Sequence, residues 1–265
     1  MQNLKRKRQK IKNMKANKIA FAVVATLLAG AANAGSLNYR AEYKHDEKTY
    51  AQRVKIGESV NIADKTKLYF SVEQKFQSSD PQDFWKQTTR GDSEFDWGVR
   101  YDLNKQWYIQ PGMPITFGNE RTTYKPQLRV GYKSSFGLTT ALRYRHEFRE
   151  YSNSDSNGTR TLVDGSKVES AGKTFQEGKW TLTGSYRFSN PDLKNLRLSY
   201  EANYITNYDD VRLYNNTNEN WDIGGIIGYQ FGNIRPYMEF WNVKGAGSTS
   251  DDRQLRTRIG VSYSF

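Results

Sequence analysis

The chain has 265 residues, of which 36% are hydrophobic and 14% aromatic, with no cysteine and a formal net charge of +12. The missing cysteine excludes disulfides, thiolate metal sites, thiol catalysis and a lipidated cysteine anchor. A mean hydropathy of −0.86 argues against a bundle of membrane helices, whereas 18 Tyr and 13 Phe suit pleated, half-buried surfaces.

Residues 1–34 read as a secretory signal. They hold a basic region from Lys5 to Lys18, an apolar run from Ile19 to Leu28 and the small-residue ending AANA, with cleavage expected after Ala34. The apolar run is too short for a stable bilayer-spanning helix. A start at Met14 would leave a signal of ordinary length. The segment carries eight of the 40 Lys and Arg and none of the 28 acids, so residues 35–265 keep only +4. The basic character of the whole chain therefore says little about nucleic acid, a partner that an exported protein rarely meets and that is not expected here.

Beyond Gly35 the pattern has period two, the signature of strands with one apolar face. In chain order the predicted strands cover 36–45, 50–59, 66–77, 93–103, 106–117, 122–133, 136–149, 177–188, 195–207, 220–231, 234–243 and 254–265. The first sets Leu37, Tyr39, Ala41 and Tyr43 against Arg40, Glu42 and Lys44. Arg53 and Lys55 mark the polar face of the second, and Phe95, Trp97, Val99, Tyr101 and Leu103 the apolar face of the fourth. Lys125, Gln127 and Arg129 alternate in the sixth, and Arg143, Arg145 and Glu147 in the seventh. Trp221, Ile223, Ile227, Tyr229 and Phe231 share one side of the tenth. The last strand opposes Leu255, Ile259, Val261, Tyr263 and Phe265 to Arg256 and Arg258.

A soluble sandwich also alternates, but it buries its apolar faces against each other. Three features favour a membrane barrel instead. Strands of about ten residues match a tilted crossing, aromatic residues gather toward strand ends, and the connections alternate in length. Tight links fall at 104–105, 134–135 and 232–233; long ones run over 78–92, 150–176, 208–219 and 244–253, with 46–49 and 118–121 as short exceptions. Open sheet edges are not tolerated in hydrocarbon. The expected fold is all-β: a transmembrane antiparallel up-and-down β-barrel of 12 strands, one domain over 35–265, with both termini periplasmic.

On this register the inward face carries nineteen cations against nine acids. The candidate pore-lining basic residues are Arg40, Arg53, Lys55, Arg100, Lys125, Arg129, Arg143, Arg145, Arg187, Arg197, Arg235, Arg256 and Arg258. Twelve strands lie between a filled barrel and a wide channel, and a constricted cationic lumen selects anions. Guanidinium forks suit carboxylates. Lys44, Lys75, Arg149 and Lys179, near strand ends, read as solvated rim charges. Inward Arg and Glu also pair with each other structurally, although nine acids cannot neutralise nineteen cations. Tyr69, Tyr237 and Trp241 fall on the lumen parity, where they either stack on sugar rings or signal a slipped register. Trp107, Tyr108, Trp180 and Trp221 are assigned to interfacial belts.

Enzyme chemistry finds little support. The two histidines, His45 and His146, sit near the outer ends of non-adjacent strands with no serine or acid placed to complete a site. Glu94, Asp96 and Asp102 alternate on one face, where pairing with neighbouring arginines outweighs Ca²⁺ ligation or glycosidase chemistry. No catalytic residue, metal site or cofactor is expected. The remaining rival is a closed structural or adhesive barrel, with segment 150–176 as a surface-binding loop or an inward constriction.

The segments SLNYRAEY, YIQPGMPI from Tyr108, YKPQLRVGY from Tyr124, TTALRYRHEF from Thr139 and DDRQLRTRIGVSYSF at the end occur in order along the chain. Together they resemble the oligogalacturonate-specific outer-membrane porins of the KdgM type. The resemblance implies a monomeric twelve-stranded barrel in outer-membrane lipid, with a narrow pore flanked by basic tracks and acidic oligosaccharides as its cargo. It places Arg40, Arg53, Arg129, Arg143, Arg145, Arg256 and Arg258 at family basic positions, and Lys125 where an arginine is common. The loops 78–92 and 150–176 match poorly, so sialic acid stands beside oligogalacturonate as the sugar transported. The terminal Phe265 resembles the signal by which such barrels reach the barrel-assembly machinery.

Overall fold

The computed structural model describes residues 35–78, 80, 83–154 and 158–265; the expected signal peptide, with Met14, lies outside the described residues. Among the described residues the chain forms sixteen strands: β1 (Gly35–Lys44), β2 (Thr49–Ala63), β3 (Thr66–Ser78), β4 (Thr88–Asp102), β5 (Trp107–Gly112), β6 (Ile115–Phe117), β7 (Arg121–Tyr124), β8 (Gln127–Lys133), β9 (Leu138–Tyr151), β10 (Thr159–Thr161), β11 (Lys167–Glu169), β12 (Thr174–Arg187), β13 (Leu196–Asn207), β14 (Glu219–Tyr229), β15 (Ile234–Lys244) and β16 (Arg253–Ser264).

Fourteen of them make twelve staves of one closed antiparallel sheet, because β5 continues into β6 and β7 into β8; β10 and β11 form a separate hairpin. The ring closes where β16 meets β1, from Ser36 opposite Ser264 to Lys44 opposite Arg256. Gly35 and Phe265 exchange both backbone hydrogen bonds at 3.1 Å. Closure leaves no unpaired edge for hydrocarbon to surround.

The fifth and sixth staves depart from the unbroken strands expected over 106–117 and 122–133. They are interrupted at Met113–Pro114 and Lys125–Pro126, since proline brings no N–H to a ladder. The neighbours stay tied: Met113 N donates to Trp97 O at 2.9 Å, Lys125 N to Pro114 O at 2.9 Å, and His146 N to Pro126 O at 3.0 Å.

Gly35 and Phe265 share one rim with the turns 64–65, 103–106, 134–137, 188–195 and 230–233; the connections 45–48, 79–87, 118–120, 152–173, 208–218 and 245–252 occupy the other. These are called the terminus rim and the loop rim below. At the tight turn 134–137 the chain needs Gly137, whose φ is +94° and whose missing Cβ would lie 2.3 Å from the Arg187 carbonyl.

The apolar parity points outward. Ile223, Ile227, Leu255 and Ile259 are exposed, whereas the buried positions include Glu73, Glu147, Glu177, Thr181, Asn203 and Glu239. A water-soluble fold does the reverse. Trp107, Trp180 and Trp221 are exposed on the outer wall, but Tyr108 is not one of the interfacial belt: it turns into the lumen, 5% exposed. The hollow over Gly131 receives it, where a Cβ would meet its ring at 2.0 Å. Tyr237 over Gly260 and Trp241 over Gly224 repeat this packing, with ring atoms 2.3 Å from the absent Cβ in both cases, and the Tyr69 hydroxyl fills the space over Gly98 and Gly112.

Candidate functional site

All thirteen candidate cations lie on the inward parity. Arg40 is on β1, Arg53 and Lys55 on β2, Arg100 on β4, Lys125 at the break before β8, Arg129 on β8, Arg143 and Arg145 on β9, Arg187 on β12, Arg197 on β13, Arg235 on β15, and Arg256 and Arg258 on β16. In a twelve-stave ring, β16 and β1 stand across the lumen from the sixth and seventh staves. Arg40, Arg256 and Arg258 therefore lie on the wall opposite the one that carries Arg129, Arg143 and Arg145.

The first wall is a bonded network. Glu42 accepts from Arg258 Nε at 2.6 Å and lies 3.9 Å from Arg256. Glu239 receives Arg258 Nη1 at 3.0 Å, Arg40 at 3.6 Å and the Trp241 indole N–H at 2.7 Å. The guanidiniums of Arg256 and Arg258 stand 4.9 and 5.1 Å from the Trp241 ring centre. Three cations thus share two carboxylates, and a cavity of about 340 Å³ opens beside Arg40, Arg53, Arg256 and Arg258. Arg53 pairs with Glu73 at 3.3 Å, which Lys75 also approaches at 3.6 Å.

The facing wall is less compensated. Arg129 is the direct register partner of Arg143, and Arg145 of Lys179. Arg143 donates to Thr181 Oγ1 at 3.1 Å, and that hydroxyl donates to Asn203 Oδ1 at 2.9 Å. Arg145 binds Gln127 Oε1 through two N–H groups and reaches Glu147 only at 3.9 Å. Lys179 and Arg149 are not solvated rim charges as expected: Lys179 faces Arg145 across the ladder, and Arg149 is held by Glu147 at 3.0 Å and Glu177 at 2.5 Å. Lys125 pairs with Glu94 at 2.9 Å. Arg100 pairs with Asp102 at 2.7 Å while its guanidinium stacks 3.6 Å from the Tyr108 ring centre.

The lumen thus divides its cations into two groups. Arg40, Arg53, Arg100, Lys125, Arg145, Arg256 and Arg258 have acid partners. Lys55, Arg129, Arg143, Arg187, Arg197 and Arg235 form no ion pair among the described residues. Arg187 and Arg197 are direct register partners at the terminus rim. Like charges placed opposite one another are unfavourable, and Arg197 Nη1 donates to the Lys194 and Leu196 carbonyls.

Two acids join the lumen beyond those read from the sequence: Glu177, one step along the parity of Lys179, and Asp92, 3.9 Å from Arg121. Glu177 was legible in the alternation; Asp92, beyond the expected strand start, was not. Asp96 forms no ion pair among the described residues. His45 bonds Thr257 Oγ1 at 3.0 Å, and His146 lies between the Tyr144 hydroxyl at 3.1 Å and Gln176 Oε1 at 3.0 Å. Both histidines are on the outer wall.

A family model described as oligogalacturonate-specific porin protein (KdgM) matches residues 28–265. The oligogalacturonate-specific porin KdgM of Dickeya dadantii is 29% identical over 254 residues, covering 94% of this chain and 99% of that protein. The N-acetylneuraminic acid outer membrane channel protein NanC of Escherichia coli K12 is 22% identical over 125 residues, 47% of this chain and 51% of that one. A solved NanC porin structure superposes with a TM-score of 0.68 at 18% identity, covering 86% of this chain and all of the other.

Proposed function

Because this chain belongs to the oligogalacturonate-specific porin family and is an outer-membrane β-barrel, we propose that it forms a narrow, positively charged, anion-selective channel through which acidic oligosaccharides, oligogalacturonates or similar uronates, diffuse into the periplasm. The observation that carries this reading is the register pair Arg129–Arg143, together with Lys55, Arg187, Arg197 and Arg235, all inward and without acid partners among the described residues. None of these groups is neutralised by an acid, although Arg143 donates to Thr181 and Arg197 to the Lys194 and Leu196 carbonyls; guanidiniums suit bidentate contacts with one carboxylate after another, and multi-site binding of that kind lets a charged solute enter and leave. The paired cations, Arg40, Arg53, Arg100, Lys125, Arg145, Arg256 and Arg258, hold the walls in shape and add to the positive potential.

In this reading residues 1–34 are removed on export, the terminus rim faces the periplasm, the barrel works as a monomer, and Phe265 is presented to the assembly machinery. Nothing in the mechanism calls on a cofactor or a catalytic group. The second reading is N-acetylneuraminate as cargo, favoured by the likeness to the NanC channel. Liposome swelling with trigalacturonate, N-acetylneuraminate and a neutral trisaccharide separates the two. The account expects fastest swelling with trigalacturonate; equal swelling with the neutral sugar would contradict the channel's selectivity.

A further inference from the structure

We propose that the loop rim carries an entry site for one carboxylate-bearing sugar ring, built from Arg121, Tyr151 and Arg160 and distinct from the thirteen candidate pore-lining cations. It rests on the porin reading above and names where the cargo is first captured.

The connections at that rim are bonded into a cap. The β10–β11 hairpin joins the 208–218 connection through Arg212 N to Thr161 O at 2.9 Å and Val163 N to Asp210 O at 2.8 Å, with Leu162 bridged to Val211. The 208–218 connection joins the next one through Asn215 N to Ser250 O at 3.2 Å and Asn216 N to Ser248 O at 3.0 Å. The hairpin is thereby held against the mouth.

Beneath it lies a cavity of about 200 Å³ lined by Arg121, Arg149, Tyr151, Arg160, Phe175 and Glu177. That is space for roughly six waters, the scale of a pyranose ring. Arg149 is already neutralised by Glu147 and Glu177. Arg160 is not: its guanidinium stands 4.7 Å from the Tyr151 ring centre and has no ion pair among the described residues. Arg121 donates to the Tyr151 hydroxyl at 3.2 Å and has Asp92 only at 3.9 Å. Two guanidiniums therefore converge on one aromatic ring, with Asp92 3.9 Å from Arg121 and Glu177, already bound to Arg149, in the same lining. Tyr151 and Phe175 pack edge-to-face at 5.7 Å and supply an apolar wall. A fork for the carboxylate beside an apolar wall for the ring face is the chemistry of an acidic sugar, and cations at a mouth raise the capture rate of anions.

Single-channel recording with trigalacturonate added to one side at a time tests the site. For Arg160→Gln the rate of block from the loop-rim side is expected to fall about fivefold, the size of effect produced by removing one steering charge, with block from the terminus-rim side unchanged. Arg121→Gln should act in the same direction, and Arg160→Lys should recover only part of the loss. Wild-type block rates from the loop-rim side in both glutamine variants, or equal losses from the two sides, would overturn the site while leaving the porin reading intact. A wild-type channel that trigalacturonate blocks from neither side would overturn the porin reading and the site together.

Discussion

Arg129 on β8 and Arg143 on β9 are direct register partners on the lumen face, and neither forms an ion pair among the described residues. A stability-driven sequence would place an acid at one of the two positions, since opposite charges across a ladder help and like charges hurt by about 0.2–1 kcal/mol. Their juxtaposition makes sense if the missing counter-charge arrives with the cargo. The double variant Arg129→Gln, Arg143→Gln is expected to assemble normally, to unfold at a slightly higher denaturant midpoint, and to lose anion selectivity measured as reversal potential in a KCl gradient. An unchanged reversal potential would remove these residues from the selectivity mechanism.

Arg258 is a different kind of arginine. It bonds Glu42 at 2.6 Å and Glu239 at 3.0 Å, so its removal leaves two enclosed carboxylates short of a partner. Losing one member of a buried pair costs about 3–5 kcal/mol in a dry interior, and the wet lumen reduces this to roughly half. Arg258→Gln should therefore lower unfolding stability, read from the temperature at which the folded band is lost on a gel. Adding Glu239→Gln to that variant should recover part of the loss.

Trp241 lies flat over Gly224, with ring carbon Cδ2 2.3 Å from where a Cβ would stand. The indole also donates to Glu239 and underlies Arg256 and Arg258. Gly224→Ala is expected to displace the ring and disturb the arginine wall, at a cost of about 1–3 kcal/mol for overpacking. The double variant Gly224→Ala, Trp241→Leu should unfold less readily than the sum of the single effects implies.

Arg253 closes a seam. The ladder between β14 and β15 begins only at Ile223 opposite Asn242. Beyond that point Arg253 of β16 donates to the Trp221 carbonyl at 2.5 Å, to the Asn242 carbonyl at 3.2 Å and to Asn220 Oδ1 at 3.2 Å. Its guanidinium also covers the Trp221 ring at 3.8 Å. Arg253→Ala removes these bonds, a typical net hydrogen bond being worth about 0.5–1.5 kcal/mol. Amide exchange at Trp221–Ile223 should quicken, with little change in conductance.

Much of this architecture can be read directly from the alternation of residues. Leu255, Ile259 and Val261 against Arg256 and Arg258 is a strict period-two pattern, and one face of every stave must meet hydrocarbon, so register follows wherever the pattern is clean. It weakens where backbone chemistry intervenes: Pro114 and Pro126 break two staves that side-chain parity alone presents as continuous. Tyr108 shows another limit, because its inward turn depends on the hollow over Gly131, a neighbour on a different strand. Ion pairing was legible as a surplus of cations but not as a map, since which carboxylate Arg258 or Arg149 reaches depends on staves that are distant in sequence. Arg160 lay further out of reach still, because loop conformation follows no periodicity and only the backbone bonds between 158–173 and 208–218 bring it to Tyr151.

The proposed channel is a cationic path for acidic sugars. Its most direct test is a planar-bilayer recording of the purified barrel in a tenfold KCl gradient, with trigalacturonate then titrated into the bath. The expected result is a reversal potential of the sign set by chloride, together with discrete current interruptions whose frequency rises with trigalacturonate and not with a neutral trisaccharide. A cation-selective current, or interruptions equally frequent with the neutral sugar, would contradict it.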